Sequence, residues 1–138
     1  MKTTIVILVV ILSLAPAAHS QVAVIVNKSV PVSSLTQAEL LDIWLCNTRT
    51  WGNGQSIELL CLKDEGPEEK KFFDFLLRTP QEMRKAWLRA QLSGQARPPA
   101  MVSSQEELLK KVQSTPGAIG FVSSERVQGS VKVVLIIE

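Results

Sequence analysis

Val22-Ala23-Val24-Ile25-Val26 is an unbroken apolar run, rich in β-branched side chains. A strand with one wet face alternates polar and apolar residues; this run has no polar face to give to water. It predicts a strand buried on both sides, and therefore a sheet covered by helices on both faces.

Upstream of this run, Lys2 gives a positive start, Ile5 to Leu14 is apolar, and Ala18-His19-Ser20 offers small residues around a cleavage point. The pattern predicts a secretory signal peptide over residues 1–20, cut before Gln21, and a periplasmic or secreted product. The apolar run is well short of the roughly 20 residues a membrane span needs. No cysteine follows the cleavage point, which argues against a lipid anchor there. Residues 21–138 then form a single domain, long enough to bury a core without staples.

Downstream, Thr36-Gln37-Ala38-Glu39 is a capping box, with Leu35 and Leu40 at the staple positions. It predicts a helix to about Cys46 with Leu40, Ile43 and Trp44 inside. Asn47 to Ser56 is a polar loop containing Trp51-Gly52-Asn53-Gly54, and Ile57 to Leu62 reads as a strand. Pro67 suits a first helical position, and Phe72, Phe73, Leu76 and Leu77 mark the inner face that follows. Thr79-Pro80-Gln81-Glu82 and Ser104-Gln105-Glu106-Glu107 are two further capping boxes. They open helices with Met83, Trp87 and Ala90, and with Leu108, Leu109 and Val112, inside. Ala118 to Val122 and Val131 to Ile137 read as strands. Alternating strands and helices predict an α/β domain, its mixed, mostly parallel sheet lying between helical layers.

The segment Ala86 to Pro99, AWLRAQLSGQARPP, closes one of these helices. Gly94 suits a left-handed cap, and Pro98-Pro99 cannot continue a helix. It sets Trp87 and Arg97 beside a stiff backbone, as a structural corner or as the rim of a binding site.

Lys and Arg number 15 and Asp and Glu 13 in the whole chain, and loss of Lys2 with the signal leaves the two nearly balanced. That balance gives no electrostatic case for nucleic acid or an anionic membrane as partner. His19, the one histidine, falls within residues 1–20, so the mature chain has no histidine for catalysis or metal binding. There is no tyrosine, no Gly-rich phosphate loop and no Gly-x-Ser-x-Gly elbow. The reading is therefore a non-enzymatic protein with no metal and no cofactor. Cys46 and Cys61 would enter an oxidising compartment, where disulfides persist. Regular βα geometry separates them beyond bonding reach, whereas the long Asn47–Ser56 loop brings them together. A Cys46–Cys61 disulfide and two free thiols both stand as readings.

Several segments occur in a familiar order: Leu35-Thr36, Asp42-Ile43-Trp44-Leu45, Trp51-Gly52-Asn53-Gly54, Trp87 with Ser93-Gly94, Arg97-Pro98-Pro99, and Thr115-Pro116-Gly117-Ala118-Ile119-Gly120-Phe121-Val122-Ser123. Together they resemble the short periplasmic-binding-protein-like domain family, described as substrate-binding proteins of phosphate ABC transporters. The resemblance spans nearly all of residues 21–138. It implies one three-layer α/β/α lobe of the type II periplasmic binding protein fold. Full-length members close two lobes on an oxyanion, so a lone lobe implies a homodimer or another envelope protein to complete the cleft.

In the phosphate binders an Arg-Asp-type segment and Ser-Gly-Thr lie between a strand and a helix N-terminus. Here the corresponding place reads Leu62-Lys63-Asp64-Glu65-Gly66-Pro67-Glu68-Glu69. Pro67 has no N–H to donate, and the carboxylates already offset the helix-terminal charge of about +0.5. The usual anion site at a helix terminus is thereby largely cancelled.

The loop cations Arg49, Lys63 and Arg97 are the candidates to meet an anion, with Trp51 as an aromatic wall. The bland alternatives are solvated charge for the cations and core packing for Trp51 and Trp87. Two functional readings follow. One is an exported domain binding phosphate or another small oxyanion. The other is a periplasmic protein-interaction or sensor-accessory module that has lost its solute.

Overall fold

The VAVIV run forms strand β1, Val22–Val26, with all five residues buried. The structure is a computed structural model and describes residues 21–138. The signal-peptide reading of residues 1–20 lies outside them. After β1 come α1 (Gln37–Trp44), β2 (Glu58–Leu62), α2 (Pro67–Phe75), α3 (Pro80–Leu92), β3 (Ala100–Val102), α4 (Gln105–Ser114), β4 (Ala118–Ser123), a short 3-10 turn (Ser124–Arg126) and β5 (Lys132–Ile137).

The strands form a five-stranded sheet in the order β3-β2-β4-β1-β5. β2 runs parallel to β3 and β4, and β1 runs antiparallel to β4 and β5. Four strands thus share one direction and β1 opposes them, which is the mixed sheet expected. Successive strand residues face opposite sides, and β4 shows what covers each. Phe121 stacks on Phe72 of α2, with ring centroids 4.1 Å apart, and meets Trp44 of α1. On the other face, a Cβ built on neighbouring Gly120 would lie 2.8 Å from Leu108 of α4. α4 therefore covers one face; α1 and α2 cover the other, and α3 packs on them through Trp87. The result is three layers, α/β/α.

The helix signals act as read at Thr36 and Thr79, where both capping boxes close reciprocally. At α4 the box slips by one residue. Ser104 Oγ accepts from Glu107 N, but the Glu107 carboxylate accepts from Ser103 N at 3.0 Å. Leu77 is a correction. α2 ends at Phe75, and Leu77 takes a positive φ of 57° with 75% of its surface exposed, so it does not join the inner face. β3 was not legible either, because Ala-Met-Val after two prolines is too short a run to show a period. The helix stop at Gly94 holds, with φ 70° there.

Of the two readings for the cysteines, the disulfide is not formed: Cys46 and Cys61 are both buried, free thiols. Cys46 follows the end of α1, with a positive φ of 63°. Cys61 stands on β2. The two thiols sit in different surroundings, Cys46 near Arg49 and Cys61 near Glu69 and Arg84.

Two local devices tie the loops down. Buried Asn27 donates to the Val112 and Gln113 carbonyls at 2.8 and 3.0 Å, which satisfies acceptors left open at the end of α4. Gly117 has φ 79°, and its carbonyl accepts from Trp51 Nε1 at 3.0 Å and from Glu58 N at 3.1 Å. A Cβ at Gly117 would lie 2.2 Å from the Ser56 carbonyl oxygen, a backbone atom. Gly117→Ala is expected to cost about 2 kcal/mol or more, from the left-handed φ plus the clash. Gly129→Ala, in open space, should stay within about 0.5 kcal/mol of the parent. Urea unfolding of the two variants measures both.

Candidate functional site

The helix stop at Gly94 and the rigid Arg97-Pro98 exit send the chain into β3 alongside β2. The Asn47–Ser56 loop enters β2 from the same side. Between them lies a groove of about 290 Å³ at the start of β2 and β3. Arg49 comes from the loop, Arg97 from the segment before β3, and Glu58 from β2; the Thr48 and Ser56 hydroxyls join them. Arg49 Nη1 donates to the Gln95 carbonyl, which ties the loop to the end of α3. Arg97 is exposed and belongs to no ion pair among the described residues. Two guanidinium groups against one carboxylate leave the groove with a net positive charge.

Lys63 does not join this group. It is exposed just past β2, so the full length of the strand separates it from the groove. Trp51 is not an exposed wall. It is only 5% exposed, and its indole N–H serves the Gly117 carbonyl. Trp87 likewise packs in the core and donates to the Trp44 carbonyl at 2.8 Å, so it does not flank Arg97 as an exposed ring. An indole with its N–H satisfied by buried backbone has no free polar edge for a solute.

The opposite end of the sheet holds the turn from β2 into α2. Here Gly66 caps α2 without a side-chain hydrogen bond, Pro67 follows it, and Glu68 and Glu69 occupy the first turn. Arg84 of α3 reaches across to Glu65 at 3.0 Å. Glu69 is the unexpected member of this cluster. It is 5% exposed, and its Oε2 is buried without a hydrogen-bond partner. Burial raises its pKa above the usual carboxylate range; Glu65 raises it further and Arg84 opposes the shift. Its position was readable from spacing, since Glu69, Phe72, Phe73 and Leu76 fall on one helical stripe. The acidic run reads as a solvated helix start only if that stripe is overlooked.

The thiols are quiet. Burial, with Glu69 adding to it, pushes Cys61 up to about 12. Burial also raises Cys46, against the opposing field of Arg49. Neither offers a thiolate at neutral pH. Among the described residues, no group of three or more His, Cys, Asp or Glu side chains could hold a metal ion. No described helix is long and apolar enough to cross a membrane.

Solved structures share the fold. An ABC-type phosphate transport receptor from Vibrio cholerae superposes with a TM-score of 0.66 at 22% identity, over 83% of this chain and 46% of that one. A structure from Clostridium perfringens, assigned as a phosphate ABC transporter substrate-binding protein and holding phosphate, gives 0.69 at 20% identity, over 83% and 45%. PstS from Borrelia burgdorferi gives 0.63 at 18% identity, over 83% and 47%. The chain has the fold of these substrate-binding proteins. It spans about half the length of each of these three structures. No family model matches the sequence, and no curated protein matches it significantly.

The Glu69 geometry has a consequence for stability. A carboxyl whose pKa is raised on folding carries no penalty below its unfolded pKa, near 4.5. The penalty grows as pH rises through the folded value. Glu69→Gln is therefore expected to raise the thermal midpoint at neutral pH. The gain should shrink on acidification and vanish below about pH 4. Thermal melts of both proteins across that range check the sign.

Proposed function

We propose that the protein is an exported, non-enzymatic binding-protein-like lobe whose solute is phosphate or another small oxyanion, held in the Arg49–Arg97 groove. The observation behind this reading is the exposed Arg97, in no ion pair among the described residues, lining the same groove as Arg49. Guanidinium groups meet oxyanions through paired, charge-assisted hydrogen bonds, and Thr48 and Ser56 supply hydroxyl donors beside them. Glu58 limits the excess charge, which favours a small anion over a polyanion. The fold it shares with phosphate-transport receptors supports solute capture as the class of activity. The leader-like pattern in the sequence supports a periplasmic or secreted location. One lobe gives one wall of a clamp, so a second copy or an envelope protein completes it in this reading.

A second reading is a periplasmic interaction or sensor-accessory lobe without a solute. It is favoured by the acidic turn into α2, which stands where the family's anion site would be.

Calorimetric titration of the purified protein with phosphate and with sulfate separates the two. The first reading expects a Kd near the millimolar range, as suits a half-cleft, and about a tenfold loss in Arg97→Ala. Absence of heat at millimolar anion rejects it and leaves the second.

A further inference from the structure

Beside the N-terminal half of α2 lies a groove of about 340 Å³, reaching to the start of α3. Its apolar walls come from Phe73, Pro67 and Pro80, and its rim carries Glu65 and Lys70. Glu69 also lines it, although only 5% of that residue is exposed, which places it at the floor. The rim charges are matched: Glu65 pairs with Arg84 at 3.0 Å, and Lys70 pairs with Asp74 at 2.8 Å. Glu69 is different. Its Oε2 is buried with no donor to meet it, whereas buried polar atoms in folded proteins nearly always find one. An orphaned acceptor at the floor of an apolar-walled groove lacks a donor that an incoming group can bring.

We infer that this groove takes an alkylammonium or guanidinium group on an apolar stem, the head bonding to Glu69 and the stem lying against Phe73, Pro67 and Pro80. Glu65 and Asp74 of the lining are already ion-paired, and Glu69 alone with apolar walls suits an organic cation better than a bare divalent ion, which needs several oxygen ligands. The head restores the missing donor and the compensating charge together, and the stem removes apolar wall from water. The shared chemistry is that of a free aliphatic amine and of a lysine or arginine side chain on a partner polypeptide. The inference is independent of the oxyanion reading, since it uses another groove and the opposite charge.

The test is calorimetry and thermal melting of the purified protein at about pH 8, where an aliphatic amine is charged. The probes are n-pentylamine, agmatine, n-pentanol as the neutral counterpart, and a blocked Gly-Lys-Gly peptide. The amines should bind in the millimolar range and raise the melting midpoint, with pentanol at least about tenfold weaker. Glu69→Gln should lose about tenfold or more in amine affinity while remaining folded, and phosphate titration of the same variant should be unchanged. Tighter binding of the peptide than of pentylamine assigns the groove to a polypeptide side chain; the reverse assigns it to a small amine. Equal binding of pentanol and pentylamine, full amine binding by Glu69→Gln, or no binding of any amine overturns the inference.

Discussion

The stacking of Phe121 on Phe72 joins the sheet to its helical cover, and the rest of the structure follows from it. The two rings lie 4.1 Å apart and nearly parallel, and Trp44, Phe73 and Trp87 close around them. Each large ring contributes apolar area that must leave water at once, so α1, α2 and α3 are drawn onto the same face. Gly120, the next residue back on β4, does the opposite task. With no side chain there, α4 approaches closely through Leu108 on the other face. One dipeptide of β4 thus sets the thickness of both helical layers.

That cover leaves chemistry only at the two ends of the sheet. At the start of β2 and β3, the Asn47–Ser56 loop and the Arg97-Pro98 exit frame a cationic groove. At the other end, the turn into α2 gathers Glu65, Glu68 and Glu69 around a helix terminus. The phosphate-transport structures that share the fold are about twice as long. A half-length chain keeps the scaffold, with Arg49 and Arg97 at one end of the sheet and the acidic turn into α2 at the other. Function in such a fold resides in the site and not in the scaffold, which is why the likeness alone does not choose a ligand.

Much of the fold was legible because its signals are local. Thr36 and Thr79 with their glutamates marked helix starts, Gly94 marked a stop, and β1 announced a doubly buried strand. The misses share one cause, a dependence on distant partners. β3 exists because β2 offers it a parallel edge, from Leu60 opposite Ala100 to Leu62 opposite Val102. Leu77 leaves the core because α2 ends at Phe75 and the chain turns before α3. The slipped cap at Glu107 depends on where the strand releases Ser103. Of the candidate site residues, Arg49 and Arg97 line one groove, Lys63 lies at the far end of β2, and Trp51 belongs to the core, because which loops share an end of the sheet is set by strand order.

By itself, the sequence determined the four helices, four of the five strands, most of their inner faces and the layered α/β class. Hydrophobic period and capping act over a few residues, and the chain states them directly. Only the tertiary structure decided that β1 opposes the other four strands and that the thiols stay apart. It alone left one carboxylate oxygen of Glu69 buried without a donor. Those outcomes depend on which segments meet across the sheet, and on water being excluded where they meet. A linear order of residues does not state either.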